Sequence, residues 1–547
     1  PLGQGVGNAV GMAIAESILR EKFGEEVINH FTYCLHGDGD IQEPVAQGAI
    51  ALAGHWGLNK LIAYYDANDC QISGNVNRSE STDYKKMYES HKWQVIEIDG
   101  HSHDQIRSAI RQAHMEIDRP TVIIGHTVMA KGTATMEKDH NTHGAPLPHE
   151  EIKRTKNKYG LNPEIEFYLP NEVLEDFRAG FNSLSGEVKA WNKRLEERKK
   201  DSNFQKKWDI LSQNCNDFGW PSFDVGEKIA TRKVWGSVIE SLAKQEFFLV
   251  GGSADLEPSN VTEGFASLVQ DYSKENPKGK NLAYGVREFS MAAINNGIAL
   301  HSGMRCFDAT FFVFADYMRP ALRLRALQEL PAVSEFTHDS FYVGEDGPTH
   351  QPIEHLMSYR SIPNMMVLRP ADANEAVVAC KIAFEQTKTP SMVLLTRQGL
   401  PVLDRTIYPS AENFRKGGYI LSDSNNNPDI VIIATGSEVS LAMEVKDLVK
   451  DYKIRIVNLG CWELFDQQTN QYKNDVLGPE SCLRVSIEAG ITDGWQKYTG
   501  LSGLNIGINQ YGISAPANRI ADYFGFNADK IAKKIITFAQ NLHVNRT

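Results

Sequence analysis

The chain has 547 residues, too long for one ordinary hydrophobic core and enough for about three or four domains. Apolar residues make up 41% and charged residues 23%, which excludes global disorder. With 69 acidic against 57 basic side chains the net charge is -12, unsuited to a nucleic-acid backbone or an anionic membrane surface, so any phosphate site has to be local.

In chain order, apolar spacing predicts a helix over Asn8 to Phe23, a strand from Val27 to Leu35 ending on Gly37-Asp38-Gly39, and a helix from about Glu43 to Trp56. A second strand, Leu61 to Tyr65, ends at Asp66 and Asn68, completing a βαβ unit whose carboxyl-end loops can meet. From about Pro148 to Asp224 the sequence turns charged and helical, and Lys189 to Lys207 reads as a solvated linker helix. A second α/β segment starts near Gly226, with buried-type strands at Phe247 to Val250, Ser334 to Thr337 and Met392 to Thr396. A third opens near Arg415, with strands Ile430 to Ala434 and Ile454 to Asn458 around the turn Thr435-Gly436-Ser437 and an amphipathic helix. Asn425 to Asn427 reads as a loop.

The expected fold class is therefore α/β, three consecutive domains with mainly parallel sheets: residues 1–200 with a charged linker toward 225, 226–403, and 415–547. Seven scattered cysteines (Cys34, Cys70, Cys215, Cys306, Cys380, Cys461 and Cys482) lack CxxC spacing and read as reduced packing residues. No apolar run reaches the roughly 20 residues of a membrane helix and no charged-then-apolar leader opens the chain, so a soluble cytoplasmic protein is expected. The chain starts at Pro1 on a Gly-rich turn, and reads as a fragment or processed chain.

Asp38 and Asn68 stand at the ends of neighbouring strands, where α/β sheets place ligands. Magnesium wants about six oxygens and leaves part of that shell to phosphate, so one carboxylate, one amide and a backbone carbonyl suit a diphosphate-bound ion. Gly37-Asp38-Gly39 followed by Asp66-Ala67-Asn68 matches the thiamine-diphosphate signature, which implies Asp38, Asn68 and the Cys70 carbonyl as metal ligands and Gly39 as a diphosphate contact. Calcium or manganese are possible substitutes.

Further stretches resemble the transketolase family. Pro1-Leu2-Gly3-Gln4-Gly5 is similar to its GPLGQG turn, which implies cofactor contacts at Leu2 and Gly3; His143-Gly144-Ala145-Pro146-Leu147 is similar to its HGAPLG loop, which implies a cofactor-facing, catalytic His143. Tyr284 to Met291 resembles YGVREFGM, which implies Glu288 as the catalytic carboxyl that meets the aminopyrimidine ring. The Phe311, Phe314, Tyr317 series resembles TFxxFxxY, implying the pyrimidine pocket, and Asp255-Leu256 resembles the cofactor-contacting part of GGSADL. Thr337-His338-Asp339-Ser340 and Gly344 to Pro352 resemble THDSxxxGEDGPTHQP. By that resemblance His338 binds substrate phosphate, Asp346 reads a sugar hydroxyl and His350 faces the reacting end of the donor; Arg232, Ser259 and Arg397 match the family's phosphate clamp.

The resemblance implies two thiamine-diphosphate-binding domains followed by a C-terminal domain. It also implies a homodimer with active sites at the subunit interface, and a place in the pentose phosphate pathway. The activity implied is reversible transfer of a two-carbon ketol unit from a ketose phosphate such as xylulose 5-phosphate to an aldose phosphate such as ribose 5-phosphate, through a thiamine-bound enamine. Alternatives are another thiamine-diphosphate ketolase, such as dihydroxyacetone synthase or a pyruvate-using synthase, and a non-catalytic transketolase-like dimer. Two departures stand out: the family's N-terminal stretch, with additional histidines, is absent before Pro1, and Gly48 stands where the family commonly carries a second carboxylate beside Glu43.

Overall fold

A computed structural model describes residues 1–212, 218–424 and 427–544. Cys215 and most of the expected Asn425 to Asn427 loop lie outside the described residues. The chain divides into two compact units. The first is Pro1–Ser212 with Tyr272–Gly279 and Asn296–His301, and the second holds the remainder.

In the first unit the strands Thr32–Gly37, Leu61–Ala67, Thr121–His126 and Gln94–Asp99 lie side by side in that order, all parallel. The helix Gln4–Phe23 buries Val6, Val10, Ile14 and Ile18, and it starts earlier than expected because Gly3, at φ 74°, turns the chain into it. The first strand starts later than expected, at Thr32 rather than Val27: the Val27 and Ile28 amides bond back to the Gly24 carbonyl, so an apolar run that looked extended is a turn. Asp38 and Gly39 are the first residues of a short helix, Asp38–Gln42, rather than a free turn. Proline at the first helical position opens Pro44–His55.

The expected Lys189–Lys207 linker helix is two helices, Asn171–Lys199 and Ser202–Asp209. The side chain of Asp201 accepts from the Asn203 amide and starts the second. These helices are not wholly solvated, since Leu195 and Phe204 are buried and Trp191 donates to the Val27 carbonyl.

The second unit contains two five-stranded sheets. One runs Met366–Leu368, Ser391–Leu394, Val333–Thr337, Arg305–Phe311, Leu249–Ser253, all parallel. The other runs Tyr419–Ser422, Ile454–Asn458, Ile430–Ala434, Leu483–Ile487, Leu504–Ile506, with only its first strand antiparallel. Strands such as Val333–Thr337 and Ile430–Ala434 are buried along their whole length, as parallel strands covered on both faces must be. Phe247 and Phe248 precede their strand, and Leu395 and Thr396 follow theirs, shifting two expected boundaries. The six described cysteines are free thiols, five of them buried. No helix among the described residues is long and apolar enough to cross a membrane.

Candidate functional site

In the first unit the candidate residues gather where two adjacent parallel strands end. Asp38 follows Gly37, Asn68 follows Ala67, and Gly37 and Asp66 are paired in register. Asp38 is buried; its Oδ1 accepts a 2.5 Å hydrogen bond from Tyr65 Oη, while its Oδ2 is buried without a partner. Burial pushes this carboxyl up, the Tyr65 hydrogen bond opposes that shift, and the nearby Asp69 charge adds to it. A buried carboxylate oxygen left open in this way suits a cation.

Asn68 Oδ1 accepts from the Cys70 amide at 3.0 Å and its Nδ2 donates to Asp66 Oδ2 at 3.0 Å, so the amide oxygen is fixed beside the Cys70 backbone. The Cys70 thiol is pushed up by burial and then by the charges of Asp38 and Asp139. Asp139 also accepts from the Asn141 amide, capping the short turn before His143. His143 is half-buried with its Nδ1 lacking a hydrogen-bond partner.

Asp40 joins the opening turn to this cluster. Its two oxygens accept from the Gly3 amide at 2.8 Å and the Gly37 amide at 3.0 Å. A Cβ on Gly3 would lie 2.7 Å from the Cβ of Glu43, so only glycine fits there. Leu2 is exposed and reaches over Gly39, where a Cβ would lie 3.3 Å from its Cδ1. The donor set is all oxygen, matched to a hard divalent ion, and the glycine turns leave backbone open for phosphate. The residues therefore fit magnesium and a diphosphate.

In the second unit the candidates line the carboxyl edge of the first sheet in strand order: Arg397 after Ser391–Leu394, His338 after Val333–Thr337, Phe311 closing Arg305–Phe311, and Asp255 after Leu249–Ser253. His338 and Asp255 have φ of 59° and 62°, the left-handed region that side chains other than glycine seldom adopt. The ring of His338 lies 3.9 Å from that of Phe311, and its Nδ1 is 2.8 Å from Thr337 Oγ1.

Burial, Arg232, Arg397 and His350 together lower the His338 imidazole to about 3, so it is neutral at physiological pH. Arg232 donates to the Ser259 carbonyl at 2.7 Å and Arg397 to the Val343 carbonyl at 3.0 Å. Two arginines and a neutral imidazole thus converge, as recognition of a phosphate dianion requires.

The aromatic series spans three elements. Phe311 ends a strand, Phe314 lies in a single 3₁₀ turn, and Tyr317 is in the first turn of Ala315–Leu327. Phe311 and Phe314 stack at 6.0 Å, Tyr317 meets Phe314 edge-on at 5.9 Å, and His350 stands edge-on to Phe314 at 5.4 Å. Glu288 opens the helix Glu288–His301 and is 9% exposed, and burial raises its carboxyl above the usual range. Leu256 is half-buried, whereas Asp255, Asp346 and Tyr317 stay exposed.

Four further participants lie outside the motifs singled out above. Tyr65 and Asp40 could have been suspected from their places beside Asp66 and Asp38. Arg369, whose Nε donates to Asp339 Oδ2 at 2.8 Å, depends on a contact across the fold. Glu335 is fully buried in the middle of Val333–Thr337; burial pushes its carboxyl far up while Arg232 and then Asn260 draw it down.

Comparison with known proteins is consistent along the chain. Residues 1–214 match the transketolase thiamine diphosphate binding domain, 227–402 the transketolase pyrimidine binding domain, and 417–527 the transketolase-like C-terminal domain. The transketolase of Bacillus subtilis is 41% identical, with 98% of this chain and 82% of that one covered; that of Aquifex aeolicus is 42% identical, with 98% and 78% covered. Among solved structures, transketolase from Campylobacter jejuni superposes with a TM-score of 0.91 at 36% identity, covering 98% of this chain and 82% of that one. A Pichia stipitis transketolase in complex with sedoheptulose-7-phosphate gives 0.93 at 34% identity, covering 99% and 81%. With three domain families in order and about two-fifths identity over nearly its whole length, the chain belongs to the transketolase family of thiamine-diphosphate-dependent transferases.

Proposed function

We propose that this transketolase moves a two-carbon ketol unit from a ketose phosphate such as xylulose 5-phosphate to an aldose phosphate such as ribose 5-phosphate. The observation that carries the substrate class is the convergence of Arg232, Arg397 and neutral His338 beside Phe311 and His350. Solved relatives bound to xylulose-5-phosphate and sedoheptulose-7-phosphate support it.

When bound, thiamine diphosphate supplies an electron sink for the two-carbon fragment. Asp38, Asn68 and the Cys70 carbonyl hold a divalent ion, magnesium by choice of donors, with calcium or manganese as substitutes. Leu2, Gly3, Gly39 and His143 line the diphosphate side; Asp255, Leu256, Phe311, Phe314 and Tyr317 line the pyrimidine side.

Glu288, whose carboxyl burial raises above the usual range, meets the pyrimidine ring and exchanges a proton with it. His350 faces the reacting end of the sugar and Asp346 a hydroxyl, while Arg232, Ser259, His338 and Arg397 grip the phosphate. Residues 1–200, 226–403 and 415–547 form diphosphate-binding, pyrimidine-binding and C-terminal domains. The working form is a cytoplasmic homodimer, serving the pentose phosphate pathway, in which the first segment of one chain and the second of the other complete each site.

Transfer from xylulose 5-phosphate to ribose 5-phosphate, assayed with and without thiamine diphosphate and magnesium, tests this. Transfer that requires both is expected. Cofactor-dependent cleavage of pyruvate but not of ketose phosphates would replace this reading with a synthase.

A further inference from the structure

His338 sits in a left-handed conformation that its own side chain does not favour, so something must hold it. On one side the anchor is Thr337, whose Oγ1 accepts from Asn260 Nδ2 at 3.0 Å. On the other side is Asp339, whose Oδ2 accepts from Arg369 Nε. Arg369 is fully buried, and its Nη1 donates to Thr435 Oγ1 at 2.8 Å, to the Thr435 carbonyl and to the Glu438 carboxylate.

Glu438 is fixed in turn by the Ala489 amide at 3.0 Å and Ser437 Oγ at 2.6 Å. Thr435 Oγ1 donates to Glu488 Oε1, and the Glu488 carboxylate also receives the Arg360 fork on both oxygens and Trp495 Nε1 on Oε2. Asp339, Arg369, Thr435, Glu438 and Glu488 are each at most 1% exposed.

Apolar packing would satisfy this volume at no desolvation cost, so a buried ionic chain of this length points to geometry as its purpose. It begins at the Thr435-Gly436-Ser437 turn of the last sheet and ends one residue from His338. A different stretch, just after the strand Leu504–Ile506, holds the neighbouring loop: Ser514 Oγ donates to the Glu345 carbonyl and Gln351 Nε2 to the Ile513 carbonyl.

We propose that Arg369 and Glu438 are positioning residues for sugar-phosphate recognition, holding His338 through Asp339, so that the last sheet sets phosphate affinity although it supplies none of the contact residues named above. This rests on the reading of His338 as a phosphate contact.

The test uses full-length chain variants Glu438→Gln, Arg369→Lys and, as a control on that reading, His338→Ala. The readout is the ratio of kcat/KM for xylulose 5-phosphate to kcat/KM for unphosphorylated xylulose. Because both substrates are assayed on one preparation, loss of folded protein cancels in the ratio, which a merely structural role leaves unchanged.

We expect His338→Ala to lower the ratio at least about tenfold and the two positioning variants to lower it at least about fivefold, mainly through KM for the phosphorylated donor. If His338→Ala lowers the ratio while both others stay within about twofold of the parent, the positioning role is overturned. If His338→Ala leaves it unchanged, the phosphate-contact reading itself falls. Should Glu438→Gln yield no soluble protein, Glu438→Asp, which keeps the charge at shorter reach, is read in the same way.

Discussion

Tyr65 Oη and Asp38 Oδ1 are 2.5 Å apart, locking the phenol of one strand to the carboxylate that directly follows its neighbour, where the sheet ends. The Tyr65 ring is itself stacked on His36 at 5.1 Å, so its hydroxyl has little freedom. Tyr65 is therefore a positioning group for the proposed metal ligand. Tyr65→Phe should weaken magnesium-dependent thiamine diphosphate binding by about 10- to 100-fold, the usual range for groups behind a metal ligand. Calorimetric titration of cofactor in excess magnesium checks this; undiminished affinity would show that Asp38 is oriented without Tyr65.

Glu288→Gln keeps the shape of the side chain and removes its acid. Since the parent carboxyl is pushed up by burial, the neutral amide should leave stability close to the parent's, while turnover falls by on the order of a hundredfold or more. Initial rates and a thermal melt on one preparation separate the two effects, and near-parent turnover would remove Glu288 from catalysis.

His338 gives a pH signature with a definite sign. In the folded chain its imidazole is lowered to about 3, whereas an unfolded histidine takes up its proton near 6.5, so acidification protonates the unfolded chain first. The stability it contributes is complete above about pH 6.5 and is lost as the pH falls toward 3, by about 2 kcal/mol between 6.5 and 5. His30 and His36 are lowered in the same direction, so the difference between parent and His338→Gln isolates this residue. Denaturant unfolding at several pH values should give a shallower acid loss for the variant, and equal slopes would contradict the buried neutral state.

Gly3→Ala tests the opening turn. The added Cβ meets Glu43 at 2.7 Å in a backbone with φ 74°, so a cost of about 1–3 kcal/mol is expected. A melt shifted to lower temperature is expected; an unshifted melt would mean the turn relaxes freely.

Strand ends were readable because apolar runs stop at polar glycine-rich turns, which is why Asp38, Asn68 and His338 could be placed at sheet edges from the sequence. Val27 was misread because an apolar run says nothing about whether its amides bond to a neighbouring strand or back to Gly24. The Lys189–Lys207 break escaped notice because Asp201 looked like one more surface charge until its carboxylate was seen capping a helix. Arg369, Asp339 and Glu438 stand far apart along the chain, and pairing of buried charges across a fold leaves no local spacing to detect.

The left-handed backbone at Asp255 has a consequence for engineering. Asp255 is exposed, so glycine there would relieve strain of about 1–3 kcal/mol and leave no cavity. A screen that selects for heat resistance alone would therefore be drawn to this codon and would enrich proteins that melt later and turn over less. Thermostabilising this chain without loss of activity means holding 255 fixed and seeking gains elsewhere.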